Sequence, residues 1–458
     1  MKKIRRQLEK NAKAQIKDSS AKNLSTSRTK QMPQISSQEA DLSSAQAPDL
    51  VGLSAKLERD LKAYIADEDV SADLLAEDLI QALDGQPLDT LESILDYLRH
   101  YGKYEISTKL LEEAWHSDLP LSFLGRVAED WIGTVKFGLN DQIGAEIVSE
   151  YLVPKAITLG ASFCHELCDL LLEWKLYRPA IPLAKEAMKG LHGDLSVQYH
   201  YAVICKFENQ WQEAKIAFEK AKAQHDHPAI EWNLGIIAVA QRDWLNARKI
   251  WQKLGIALPA GEGDYAQSGQ LCAIRLPMQV LNLDQATQVN TDLKETREHL
   301  EIEQKRQLMK SEVLWGRRLC PARVEITSIP YYHQSYQCGD IVLVDGAQNG
   351  ETIYQGEKWP IVDVLGKFQS TLGQTFKLYA KMIHPKQITI LDEQIHRLSE
   401  KGWQIVNWSR LEKTSLCIAF YLPDLSMAGT LQAQMDEILE IKFYDEKWAN
   451  LINQISKN

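Results

Sequence analysis

Three stretches of this chain carry the same marks at a nearly constant spacing. Trp211 recurs as Trp244, Ala214 as Ala247 and Phe218 as Trp251, and one similar step before the first set stand Tyr177, Ala180 and Ala184. Self-similarity at a period of about 34 residues signals stacked helical units, each too small to bury its own apolar face without the next. Between Leu195 and Pro259 the unit is written twice in succession. The expected fold class is mainly α, a solenoid of helical hairpins followed by a smaller α+β domain.

Apolar residues recurring every three to four positions, broken by Gly, Pro and Asp, predict helix after helix from Val51 to about Leu283. Leu91–Leu98 and Tyr104–Ala114 pair around Tyr101-Gly102-Lys103, and a more degenerate pair spans Phe123–Leu152. Clearer pairs follow: Phe163–Trp174 with Pro179–Leu191, Val197–Phe207 with Gln212–Ala223, and Ala229–Gln241 with Leu245–Leu254. Tyr104 precedes Tyr177 by about two periods, which makes the weak pair between them a diverged repeat.

The run Asn233-Leu234-Gly235 with Ala247, Trp251 and Pro259 resembles the tetratricopeptide repeat pattern, as do Ala202, Ala214, Phe218 and Ala221, and before them Cys168, Ala180, Ala184 and Ala187. That resemblance implies a concave groove lined by the first helix of each pair. By register the groove positions are His165, Asp169 and Glu173, then Tyr199, Val203 and Lys206, then Trp232, Ile236 and Val239. His165, Asp169, Tyr199, Lys206, Trp232 and Ile236 are the expected partner-binding residues. The helix Ile230–Ala240 is apolar on nearly every side, so both its faces need cover. The expected cover is the chain's own C-terminal part, the alternative an apolar peptide.

After Pro259 the repeat stops, and Gly261, Gly263 and Gly269 mark a loop. Asp284 to about Lys310 alternates Glu with Lys and Arg and reads as an exposed connecting helix. From Val313 the period changes to two. Val313–Trp315, Arg323–Ile329, Asp340–Val344 and Thr375–Met382 read as strands, then a helix (Leu391–Lys401), strands Trp403–Trp408 and Leu416–Tyr421, and a last helix (Leu431–Ile455). The expected organisation is a disordered basic tail over 1–50, a repeat domain over 51–283, a charged connecting helix over 284–312 and an α+β domain over 313–458. Arg275-Leu276-Pro277, Pro321-Ala322-Arg323-Val324-Glu325, Cys338 to Leu343 and Asp345-Gly346-Ala347 resemble a bacterial family in which such a domain follows tetratricopeptide repeats. The resemblance implies domain order and bacterial origin. Some members carry a Cys-x-x-Cys near the end, where this chain reads Cys417-Ile418-Ala419-Phe420.

Charge narrows the partners. The formal net charge is −10, yet residues 1–30 carry +8 and residues 31–50 carry −3, leaving residues 51–458 at −15. An acidic body disfavours nucleic acid as the principal ligand and leaves only the tail for phosphates or a membrane surface. No apolar run reaches the ~18 residues of a membrane span, no signal-length apolar segment follows the basic start, and seven scattered cysteines make no disulfide framework, which together predict a cytoplasmic location.

No catalytic set, cofactor or metal site is expected. Cys164 and Cys168 lie four apart beside His165, but a zinc site wants a second pair of ligands, and Cys168 falls at a small-residue packing position. His225-Asp226-His227-Pro228 reads as a turn with an Asp cap. Asp340, Asp345, Glu351 and Asp363 sit near glycines as turn formers, although carboxylates there could serve acid–base work. The leading expectation is a non-enzymatic scaffold that binds a peptide or protein partner. The alternatives are a ligand- or metal-responsive enzyme or sensor seated in the C-terminal domain, and an immunity-like protein that neutralises a basic partner.

Overall fold

The computed structural model describes residues 55–66, 71–83, 88–117, 119–139, 141–266, 269–277, 312–330, 335–354, 356–381, 387–408, 415–443 and 445–455. The expected tail over 1–50 and the charged helix over 284–312 lie outside or almost wholly outside them. The chain forms two compact units that divide between Glu231 and Trp232.

The first unit is helical: α1 (Ala55–Ile65), α2 (Ala72–Leu83), α3 (Leu88–His100), α4 (Tyr104–His116), α5 (Leu121–Gly133), α6 (Gln142–Leu159), α7 (Ala161–Glu173), α8 (Tyr177–Gly190), α9 (Leu195–Phe207) and α10 (Trp211–Gln224). These pair consecutively, and the pairs stack: α5 touches α7 and α7 touches α9, while on the other layer α2 touches α4 and α6 touches α8. That is the neighbour pattern of a solenoid, in which each hairpin is completed by the next.

The repeat is written into the backbone as well as the side chains. Gly102, Lys175, Asn209 and Arg242 all have positive φ, at 69°, 60°, 57° and 60°. At each, the residue's own N–H bonds the carbonyl three back and the next N–H bonds the carbonyl five back. Lys175 N to Leu172 O is 3.2 Å and Leu176 N to Leu171 O 2.8 Å, and Asn209 and Gln210 repeat this on Lys206 and Cys205 at 3.2 and 2.8 Å. This Schellman turn satisfies the last carbonyls of the first helix and starts the second immediately. Lys, Asn and Arg tolerate the left-handed conformation at about 1 kcal/mol each because the hairpin demands it. The pair over residues 121–159 departs from the pattern: α5 runs into a π-turn, Thr134–Gly138, and α6 has 18 residues with Pro154 inside.

The second unit begins within α11 (Pro228–Ala240), followed by α12 (Trp244–Lys253). Their crossing is close because Gly235 has no side chain, a Cβ there falling 2.5 Å from the Trp251 ring. Next comes a closed barrel in the order β1 (Leu271–Arg275), β2 (Val313–Cys320), β3 (Arg323–Ile326), β4 (Ile341–Tyr354) and β5 (Glu357–Gln369). All neighbours are antiparallel except β1 and β5, whose parallel pairing closes it. Alternating side chains (Ile274, Leu314, Val324, Ile326, Val342, Val344, Val362 and Val364 among them) fill the interior. A three-stranded antiparallel sheet, β6 (Gln374–Lys381), β8 (Ser415–Leu422) and β7 (Gln404–Trp408), in that spatial order, packs with α13 (Gln387–Glu400), α14 (Ala428–Ile438) and α15 (Glu446–Ile455) around Phe376, Phe420 and Trp448.

Two expectations are corrected, and one strand was not foreseen. The repeat domain does not extend to residue 283, since β1 lies inside that range and belongs to the barrel. The last helix is two helices, α14 and α15. The strand β5 escapes the period because Pro360 interrupts it, and Pro360 pairs opposite Glu351 where the register with β4 shifts, a position at which a missing N–H is tolerated.

The barrel meets α11 at Trp232. Trp232 lies so closely on the backbone of β4 that a Cβ on Gly346 would collide with its indole nitrogen, and it meets Trp251 edge-on at 5.2 Å. Beside it Arg242 stacks on Phe368 at 4.5 Å. Arg323, 2% exposed, is held by both Asp264 carboxylate oxygens at 2.7 and 3.1 Å and lies over the rings of Trp244, Phe368 and Tyr265. At Trp232 the cover expected from the C-terminal part of the chain is in place.

Candidate functional site

The expected groove residues separate into two groups. Ile236 is fully buried and Lys206 is 2% exposed, so neither offers a surface to a peptide, while Trp232 is half-buried and lies against Gly346. Lys206 and Ile236 are corrected, because packing occupies both positions. His165, Asp169 and Tyr199 are half-buried and lie on adjacent first helices.

On α7 the buried stripe is Phe163, Cys164, Leu167, Cys168 and Leu171, which turns His165 and Asp169 onto the flank, four apart and therefore side by side. Asp194 caps α9, accepting from the backbone N–H groups of Ser196 at 2.8 Å and Val197 at 3.4 Å. Tyr201, Ala202 and Cys205 of α9 face the core, and this sets Tyr199 and His200 at the boundary with solvent. The Tyr199 ring meets Phe218 edge-on at 5.6 Å.

His200 completes the site, one position beyond Tyr199. Its Nδ1 is 2.5 Å from Asp169 Oδ1, which is also 3.5 Å from His165 Nδ1. The two imidazole rings lie 5.7 Å apart, tilted by 32°. A second histidine placed one period and one position after His165 was the available signal.

Further along the same layer the site is acidic. Glu129 on α5 reaches solvent, yet burial, followed by the neighbouring carboxylates Asp130 and Glu173, holds its carboxyl above the ordinary range. Asp130 accepts an ion pair from Arg99 at 2.9 Å.

The other candidates have structural work. Cys164 and Cys168 are buried, and burial pushes the Cys164 thiol up to about 11 and Cys168 higher still. Cys417, at the place of the resemblance's Cys-x-x-Cys, is buried on β8. His227 Nδ1 accepts from Ala229 N–H at 3.1 Å, so an imidazole caps α11 where an Asp cap was expected. Asp340 accepts from the N–H groups of Gln337 and Thr371 at 2.9 and 2.8 Å and from Lys367 at 2.7 Å. Asp363 accepts from Arg275 and Asn349, and Glu351 pairs with Lys358.

No family model matches the chain, and no curated protein matches it. Among the described residues no helix is long and apolar enough to cross a membrane.

Proposed function

We propose that the protein is a non-enzymatic scaffold whose hairpins work as tetratricopeptide-type repeats, holding a peptide or protein segment against their first helices. The observation that carries this reading is the row of half-buried side chains on the consecutive first helices α7 and α9: His165, Asp169, Tyr199 and His200. Polar and aromatic groups at that depth supply both contact area and hydrogen bonding to an incoming chain. Carboxylates at Asp169, Glu173 and Glu129 favour a partner carrying Lys or Arg, with binding that weakens as salt rises.

A photo-crosslinking residue placed at Tyr199 of the full-length chain tests this directly in the cell of origin. The expected result is a discrete crosslinked partner from position 199 and none from Ile216, an exposed position on the second helix of the same hairpin. Equal crosslinking from both, or crosslinking from 216 alone, overturns the assignment of the binding face.

A further inference from the structure

We propose that His165, Asp169 and His200 form a binding site for a divalent transition-metal ion, joining two neighbouring hairpins through their first helices. One ligand atom from each residue lies within 4.8 Å of the other two. In a tetrahedral zinc site, with bonds of about 2.1 Å, ligand atoms are about 3.4 Å apart. The 3.5 Å between His165 Nδ1 and Asp169 Oδ1 already has that value, and the other pairs reach it by small side-chain rotations.

A plain ion pair accounts less well for the cluster. Asp169 Oδ1 and His200 Nδ1 are both buried, and although they are 2.5 Å apart neither makes a hydrogen bond of acceptable geometry. Buried polar atoms whose contact lacks hydrogen-bond geometry are imperfectly satisfied, and an ion between them would satisfy both at once. The ligands are also held in advance: His165 and Asp169 share a face of α7 through their spacing of four, and α9 touches α7.

The donor set selects the ion. Two imidazoles and one carboxylate suit zinc, cobalt or nickel, whereas calcium and magnesium want oxygen alone. The nearby thiols of Cys164 and Cys168 are turned into the core, so copper(I) has no soft ligand there. Three protein ligands leave a fourth position, and it is reachable, because the Asp169 side chain remains 44% exposed. The Tyr199 ring lies 6.3 Å from that of His200.

The test uses the full-length protein, stripped with chelator and titrated with cobalt(II) and zinc(II). The expected result is uptake of one equivalent of cobalt with visible absorption in the tetrahedral range, displaced by zinc, and a zinc-dependent rise in Tm. His200→Ala and Asp169→Asn, each checked for native circular dichroism, are expected to weaken binding by at least about a hundredfold and to remove the Tm response. His200→Gln keeps bulk at the position should the alanine variant fold poorly, and is expected to lose binding equally. His225→Ala, which alters the other neighbouring pair of histidines, leaves the response intact. No cobalt uptake by the stripped protein, or affinity unchanged in the His200 and Asp169 variants, overturns the proposal. The outcome is independent of whether a peptide binds the same face.

Discussion

The hairpins α9–α10 and α11–α12 are the same object put to two uses. Tyr199 meets Phe218 edge-on at 5.6 Å, and one repeat later Trp232 meets Trp251 edge-on at 5.2 Å. Both hairpins turn on a non-glycine residue in the left-handed conformation. Both rings are half-buried, yet Trp232 lies against the backbone at Gly346, while Tyr199 lies beside the imidazole of His200. The difference lies in the helix around each ring. α11 carries Asn233 and Ile236, both buried, where α9 carries His200 and Val203, both half-buried. A repeat thus fixes where a side chain stands, and the local composition decides whether it becomes core or surface.

The contrast can be broken at its strongest point first. Trp232→Ala is expected to cost about 3 kcal/mol in denaturant unfolding, the lower end for a large aromatic, and the equivalent Tyr199→Ala about 1 kcal/mol. Equal losses would mean that the two rings do the same job. Gly346→Ala is expected to cost about 2 kcal/mol by forcing the indole off the strand. In a Trp232→Ala background most of that cost should vanish, and a double-mutant cycle showing simple additivity would contradict the contact.

A smaller effect separates the turns. Lys175→Gly relieves left-handed strain and is expected to raise stability by roughly 0.5 kcal/mol. Arg242→Gly relieves the same strain but removes the stacking on Phe368, so it should be neutral or destabilising. The smallest effect is a pH slope. Because the folded-state pKa of Glu129 is raised, its stabilising contribution is complete below the ordinary carboxylate range and is lost as pH rises through the folded value. Glu129→Gln should flatten stability against pH over that window and leave neutral-pH stability unchanged or slightly higher.

The sequence carried the helical part legibly because the solenoid is local: each hairpin touches mainly its neighbours, so a single period contains most of its information. The barrel was less legible for the opposite reason. Its closing pair, β1 with β5, joins Ala273 to Ile361, and β5 contains a proline that breaks the strand pattern. The site fell between these cases. His165 and Asp169 were readable from spacing on one helix, but His200 needed the rotation between adjacent helices, which a period rounded to whole residues does not give. Lys206 and Ile236 failed because register assigns a face and says nothing of how deeply the neighbours bury it.

The parallel pairing of β1 with β5 also governs where this chain can be cut. A fragment starting at residue 312 would keep β2 to β5 but lose the strand that lies between β2 and β5. Both of those strands would then present bare backbone, the kind of edge that recruits other chains. Expression of the C-terminal half as a well-behaved piece therefore depends on one short strand, Leu271–Arg275, that sits before the long charged stretch. A longer start that includes Asp264 would keep the salt link to Arg323 as well.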